Sequence, residues 1–171
     1  MNLIPALTHV GLLALQSARA GGPAVTLSRI KLGTTARLPS GNETDVLTAV
    51  ADAPIASHTL DPVSGQLDLC VMIDGGEIGL TQDHVIHEAG VFDQDGRLIF
   101  YWAGLDSIGS ITPVTAYALN VAMTLAQADA AVIQIVDVGA PWDAILEPRL
   151  QAIAAVNRRA AWRTLFLALS N

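Results

Sequence analysis

The sequence has little cysteine, little charge and no long apolar run, and each shortage excludes a class of protein. The single cysteine, Cys70, excludes an intrachain disulfide and is compatible with a reducing cytoplasm. Its place in the alternating run QLDLCVMI predicts a buried small side chain rather than a nucleophile. Charged residues make up 15% of the 171 residues and hydrophobic ones 51%, and the mean hydropathy is +0.45. Such a chain is expected either to enter a membrane or to bury surface against partners.

A membrane span is not predicted, because no segment reaches the ~20 consecutive apolar residues that one requires. The two longest candidates, Leu3–Leu15 and Ala160–Leu169, are interrupted by polar residues. The tripeptide ARA at residues 18–20 resembles a signal-peptide cleavage site, but no Lys or Arg precedes the apolar run and His9 lies within it. We therefore expect an amphipathic first helix, no membrane insertion, and partner proteins that cover the apolar excess.

Positive charge is also scarce, which argues against nucleic acid as a partner. The formal net charge is −7 and the pI is near 4.8. Binding to a phosphate backbone depends on clustered Lys and Arg. We expect no nucleic-acid binding.

The spacing of apolar residues predicts one domain, residues 1–139, followed by a C-terminal helix at residues 140–171. A first helix ends at the stop signal GGP, and a strand follows in AVTLSRIKLG. Strict alternation predicts further strands in QLDLCVMI, TAYALNVAMTL and VIQIVDV. A short helical turn is expected around Val46, Leu47 and Val50. The predicted fold class is α+β, an antiparallel sheet or sandwich with an N-terminal and a C-terminal helix.

The C-terminal helix carries a candidate interface for oligomerisation or partner docking. Six of its residues fit the a and d positions of a heptad repeat, with a polar residue of the kind that fixes register in coiled coils. They are Leu150, Ile153, Asn157, Ala160, Thr164 and Leu167. The alternative is a helix packed on its own domain.

The stretch HVIHEAGVFDQDGRLIFYW, residues 84–102, concentrates residue types that bind metals. His84 and His87 are three positions apart, whereas the zinc-protease helix requires four. An EF-hand loop with Gly96 as its invariant glycine would place the first ligand on Val91, which has no oxygen ligand. No phosphate-binding loop, nucleophile elbow or dinucleotide fingerprint is present elsewhere. No catalytic residue, metal or cofactor is therefore predicted.

The same stretch has the pattern of a β-hairpin. Two extended runs flank an Asp-Gly turn, in which aspartate bonds its own backbone and glycine supplies a positive φ. In a strand His84 and His87 point to opposite faces, and the adjacent His87 and Glu88 do not pair, so each is expected to be a satisfied polar residue within the sheet. The second run, Leu98–Ala103, is apolar on both faces. We expect a helix on one face and a neighbouring subunit or partner on the other.

This hairpin resembles the REIGLFDADGNLI type of hairpin in the N-terminal, tail-collar domain of phage tail-fibre proteins, which also occurs in phage-tail-like bacteriocins. The opening LTHVGLLALQSARAGG, which includes Gly11, is similar to the first helix of that domain. VTLSRIKLG is similar to its first strand, and ITPVTAYALNVAMTLAQADAAVIQIV to its closing strands. The resemblance covers roughly residues 3 to 138 in the same order. It departs at His87, where the family has Arg, and at Gly33–Ala36, where GTTA replaces GDGG.

The resemblance implies a structural virion protein made in the cytoplasm of the bacterial host and assembled into the tail. Family members continue into a shaft and a receptor-binding tip, whereas this sequence ends at Asn171, so we expect a short tail-fibre or fibre-adaptor subunit. It would attach to the baseplate or to other tail-fibre proteins, as a homotrimer. The hairpin signature would be structural and comprises Glu88, Gly90, Phe92, Asp93, Asp95, Gly96 and Leu98.

Two other functions stay open on the residues alone. One is a small metal-dependent hydrolase that uses Asp83, His84, His87 and Glu88, on the basis of their clustering. The other is a secreted adhesin-like β domain, released by cleavage after Ala20.

Overall fold

The computed structural model of the protein describes residues 5–61 and 63–138, apart from the side chains of residues 127 and 128. These residues form mostly antiparallel sheet with one full helix, so the broad α+β class is confirmed for them. The predicted C-terminal helix and its six-residue seam lie outside the described residues. The strands are β1 (Ala6–Leu7), β2 (Val25–Gly33), β3 (Ala49–Pro54), β4 (Ser57–Leu60), β5 (Gln66–Asp74), β6 (His84–Ile86), β7 (Glu88–Asp93), β8 (Leu98–Ala103), β9 (Gly109–Ile111), β10 (Ala116–Thr124) and β11 (Ile133–Ile135). The helices are α1 (His9–Arg19) and the single turn α2 (Gln127–Ala130).

Helix α1 begins and ends at the signals that its sequence contains. Thr8 caps it, since its hydroxyl accepts a hydrogen bond from Gly11 N at 2.9 Å. At the other end the chain turns away at Gly21, which has a φ of +91°. The buried face includes Gly11, which lies so close to β8 that a Cβ there would overlap the carbonyl oxygen of Ile99. A glycine at this position therefore lets the helix approach the sheet.

The larger sheet has six strands and is built around β2. Its order is β1-β8-β7-β2-β11, and β3 also pairs with β2. All of these pairings are antiparallel except that of β2 with β11, in which Val25–Leu27 run parallel to Ile133–Ile135. β-bulges interrupt the pairings of β2 with β3, of β2 with β7 and of β7 with β8. The hairpin β7–β8 thus lies within the sheet and is covered on both edges.

The second sheet has three strands in the order β10-β5-β4, and a separate two-stranded pair is formed by β6 and β9. β5 and β10 pair over nine consecutive residues without a bulge, from Gln66 opposite Thr124 to Asp74 opposite Ala116. Their alternation is the one predicted from the sequence. Leu67, Leu69 and Val71 are buried, while their even-numbered neighbours are partly or fully exposed.

The helical turn predicted around Val46, Leu47 and Val50 is wrong. Residues 47 and 48 form a turn, and β3 follows directly as an antiparallel partner of β2. Within β3 the side chains alternate between buried and exposed, which matches a strand. The short apolar spacing fitted both structures, and the free edge of β2 decided between them, because pairing with a neighbour outweighs intrinsic propensity.

Both faces of β8 are covered by the chain itself. Helix α1 packs on one face, as predicted, and Ile99 and Phe100 belong to the main core. On the other face a smaller buried cluster is formed by Val46, Phe92, Leu98, Tyr101 and Ala103. Val46 comes from the connection at residues 34–48, which we call the cover loop. The expected subunit or partner on this face is therefore replaced by an internal segment.

Candidate functional site

The turn of the hairpin is organised by Asp93, a signature residue whose side chain is fully buried. Its Oδ1 accepts hydrogen bonds from Asp95 N at 3.1 Å and Arg97 N at 2.8 Å. Its Oδ2 accepts one from Arg97 Nε at 2.7 Å. Gly96 completes the turn with a φ of +80°. The carboxylate of Asp93 is therefore occupied by the turn, as the hairpin interpretation predicted, whereas the exposed Asp95 side chain contacts Arg97, at 3.2 Å.

The next part of the signature packs the hairpin against the cover loop and β2. Gly90 has no room for a side chain, because a Cβ would come within 2.8 Å of Val46 Cγ2 and 2.7 Å of Leu98 Cδ1. Phe92 is buried, and Lys31 Nζ lies 4.6 Å from the centre of its ring. A cation at that distance is attracted by the face of the ring. These signature residues thus fill space rather than bind a ligand.

Glu88 joins the hairpin to the cover loop. Its side chain is fully buried, and its Oε2 accepts a hydrogen bond from Leu47 N at 2.8 Å. Arg37 Nε lies 3.3 Å from Oε1, an ion-pair distance without hydrogen-bond geometry, and donates instead to the hydroxyl of Tyr101 at 2.8 Å. One carboxylate therefore anchors two points of the cover loop.

The electrostatics of this cluster follow from its burial. Burial raises the pKa of Tyr101 to about 12, although the hydrogen bond from Arg37 favours the anion. Burial lowers the pKa of Arg37, but the bond to Tyr101 and the charge of Glu88 outweigh it, and the net shift is upward. Tyr101 stays neutral and Arg37 charged at neutral pH, so neither is prepared to exchange protons with a substrate.

The cover loop is also fixed internally. Burial acts to raise the pKa of Glu43, but bonds from Ser40 N at 2.5 Å and Gly41 N at 2.8 Å outweigh it and lower that pKa. The carbonyl oxygen of Gly41 in turn accepts a hydrogen bond from His9 N at 2.8 Å. The loop is thus bonded to the start of α1 as well as to the hairpin.

The residues of the suggested hydrolase do not form a metal site in the described part of the chain. His84 lies in β6, and His87 occupies the break between β6 and β7. Residues 5–61 and 63–138 contain no group of three or more His, Cys, Asp or Glu that could hold a metal ion. His87 Nδ1 is buried and has no hydrogen-bond partner, so the prediction that His87 is satisfied is wrong for this atom.

An open groove of about 380 Å³, which the sequence did not indicate, lies across β4, β5 and β10. Ser57, Cys70 and Asn120 are among its lining residues. His58 also lines it and bonds Asp137 through Nδ1 at 2.6 Å. Burial raises the pKa of the Cys70 thiol, which disfavours the reactive thiolate. The groove is polar, but its cysteine is not activated.

A comparison of the chain with protein-family models, with curated proteins and with solved structures finds no match. The tail-collar resemblance therefore stays a prediction, and the functional argument depends on the contacts described above. In the described residues no helix is both long enough and apolar enough to span a membrane.

Proposed function

We propose that this protein is a structural subunit of a phage tail, or of a phage-tail-like bacteriocin, that attaches to the baseplate as a short tail fibre or fibre adaptor. The observation that carries the proposal is the use made of the hairpin signature. Glu88, Gly90 and Phe92 pack the hairpin against the cover loop and β2, and Asp93 and Gly96 form its turn.

Such use fits an assembly module better than an active site. In an enzyme of this size, buried carboxylates are expected to face a cleft with space for a substrate. Here the oxygens of Asp93 are taken by main-chain N–H groups and by Arg97, and Glu88 is enclosed by the cover loop. A rigid, fully packed hairpin is what a module needs when it must present one fixed surface to a partner.

The homotrimer implied by the resemblance is part of the same proposal. Its candidate seam lies outside the described residues, so the described contacts neither favour nor oppose three-fold symmetry. The number of subunits is therefore best measured together with attachment.

The test is to locate the chain on assembled particles. Particles released by the bacterium that encodes the chain would be purified on a density gradient and labelled with gold-conjugated antibody against the full-length protein. We expect label at the distal end of the tail, lost when the gene is deleted and regained when the full chain is supplied in trans. Absence of the chain from purified particles, or label on the capsid alone, would contradict attachment to the baseplate.

A further inference from the structure

Strand β10 is a long sheet edge: one side pairs with β5, and the described residues show no pairing of its other side. The hydrogen bond from Leu125 N to Gly65 O, at 2.8 Å, shows that odd-numbered residues of this segment bond towards β5. In an antiparallel pair the alternate residues then direct their N–H and C=O groups the other way. These are Ala116, Ala118, Asn120, Ala122 and Thr124.

This edge lacks the features that normally prevent sheet edges from pairing. Natural edge strands are kept apart by charged side chains, proline, bulges or short length. β10 has nine residues, no charged residue, no proline and no bulge in its pairing with β5. Other strands that end the described sheets are shorter: β1 has two residues, β11 three and β4 four, and β3 carries Asp52 and Pro54.

We propose that β10 pairs antiparallel with β10 of a second copy of this chain, about a two-fold axis at Asn120. The side-chain sizes of the strand are nearly symmetric about that residue, which is the property that a self-complementary interface needs. On the outer face Ala118 faces Ala122 of the copy, and Asn120 faces Asn120. On the inner face Leu119 faces Val121 and Tyr117 faces Met123, and at the two ends Ala116 faces Thr124.

In this pairing every outward N–H and C=O group of β10 has a hydrogen-bond partner. Its five outward residues form five hydrogen-bonded pairs with the copy, and each pair exchanges two main-chain bonds. Two chains of net charge −7 repel one another, but the uncharged strand places no like charges opposite each other. A two-fold contact also closes on itself, so it forms a discrete particle rather than a fibre.

The inference goes beyond the proposed function and does not depend on it, because it concerns only the described sheet. Pairing through β10 can also be distinguished from a three-fold contact made by another surface of the chain. A chain that associates through β10 alone is a dimer, and a trimer whose three β10 strands all pair with those of one second trimer contains six chains. In either case, loss of the β10 contact halves the particle mass.

The first experiment uses disulfide cross-linking to determine which residues of the two β10 strands face each other. It is done in the full-length protein with Cys70→Ser, so that the introduced cysteine is the only one. In the proposed pair the two Cα atoms of residue 120 lie about 5.5 Å apart, within the range of a disulfide. Those of residue 118 lie roughly 14 Å apart, because residue 118 faces residue 122 of the copy, and residue 118 of the copy is four steps of about 3.4 Å further along that strand. With diamide as the oxidant, we expect Asn120→Cys to give a covalent dimer and Ala118→Cys to give none.

The second experiment tests the same register by charge, in full-length chains that all carry Ala122→Lys. In the proposed pair, residue 118 of each chain faces the introduced lysine at position 122 of the other. Ala118→Lys therefore places like charges opposite each other at both contacts, whereas Ala118→Glu creates an ion pair at both. We expect the first variant to have half the mass of the second by sedimentation velocity at about 1–300 μM, a range suited to a small interface. The control is Thr59→Lys in an otherwise wild-type chain; residue 59 is exposed on β4, and this variant should keep the wild-type mass.

Several results would overturn the proposal. These are equal cross-linking at positions 118 and 120, equal masses for the two charge variants, or a control that dissociates, which would indicate head-to-tail pairing of β4 with β10. Circular dichroism checks that each variant folds. If a variant does not fold, amide exchange of Ala118, Asn120 and Ala122 in the wild type decides: slow exchange that depends on protein concentration supports the pairing, and fast exchange at all concentrations refutes it.

Discussion

Replacing Glu88 by alanine should destabilise the protein by about 3 kcal/mol. The change removes a hydrogen bond from Leu47 N to a charged acceptor, a bond worth about 1.5–3 kcal/mol. It also leaves Arg37 without its partner, and breaking a buried pair in this way costs roughly 3–5 kcal/mol in all. Because the side chain of Arg37 is 28% exposed, it can turn towards water, and the lower end of that range applies.

Glu88→Gln separates the two contributions. Glutamine keeps an acceptor for Leu47 N but carries no charge for Arg37, so we expect a cost of about 1–2 kcal/mol. The control is Glu77→Ala, an exposed acidic residue whose loss should change stability by less than about 0.5 kcal/mol.

The assay is urea denaturation followed by circular dichroism, with the amide exchange of Leu47 as a local readout. Opening of the cover loop should speed the exchange of that amide in Glu88→Ala and leave it unchanged in Glu77→Ala. A cost below about 1 kcal/mol for Glu88→Ala would show that Glu88 does not anchor the loop. Equal costs for alanine and glutamine would show that the bond from Leu47 N contributes nothing.

Three further predictions concern the hairpin and the helix beside it. Asp93→Ala should cost about 3 kcal/mol in urea denaturation and Asp93→Asn about 1, because asparagine still accepts the main-chain bonds whereas the pair with the half-exposed Arg97 adds little. The folded pKa of Tyr101 is raised, so its contribution to stability is complete below about pH 10 and is lost as the pH rises towards 12; ultraviolet titration should show a tyrosinate near pH 12 that Tyr101→Phe removes. Gly11→Ala should lower the free energy of unfolding by about 2 kcal/mol or more, since the new methyl group overlaps the Ile99 carbonyl; a neutral effect would mean that α1 can shift freely.

Local patterns were sufficient to predict some elements. The paired glycines predicted the end of α1, and strict alternation predicted β5 and β10. The hairpin was predicted from its Asp-Gly turn between two apolar runs, and the structure has that turn at residues 93–97. In each case the residues that decide the structure are close together in the sequence.

The cover loop and its contacts could not be predicted in the same way. Arg37 and Glu88 meet although fifty-one positions separate them, and nothing in the local sequence of either residue indicates the other. β3 was predicted as a helical turn, since its identity depends on the edge of β2. The break at His87 was missed too, because the extended pattern runs on through it while the hydrogen bonding changes from β9 to β8.

The parallel pairing of β2 with β11 has a consequence for synthesis on the ribosome. Val25 and its neighbours are made more than a hundred residues before Ile133–Ile135. At translation rates of about 5–20 residues per second, β2 waits roughly 5–20 s for this partner. During that interval part of its edge carries unpaired main-chain groups that other nascent chains or chaperones can bind. The larger sheet therefore cannot be complete until β11 has emerged from the ribosome.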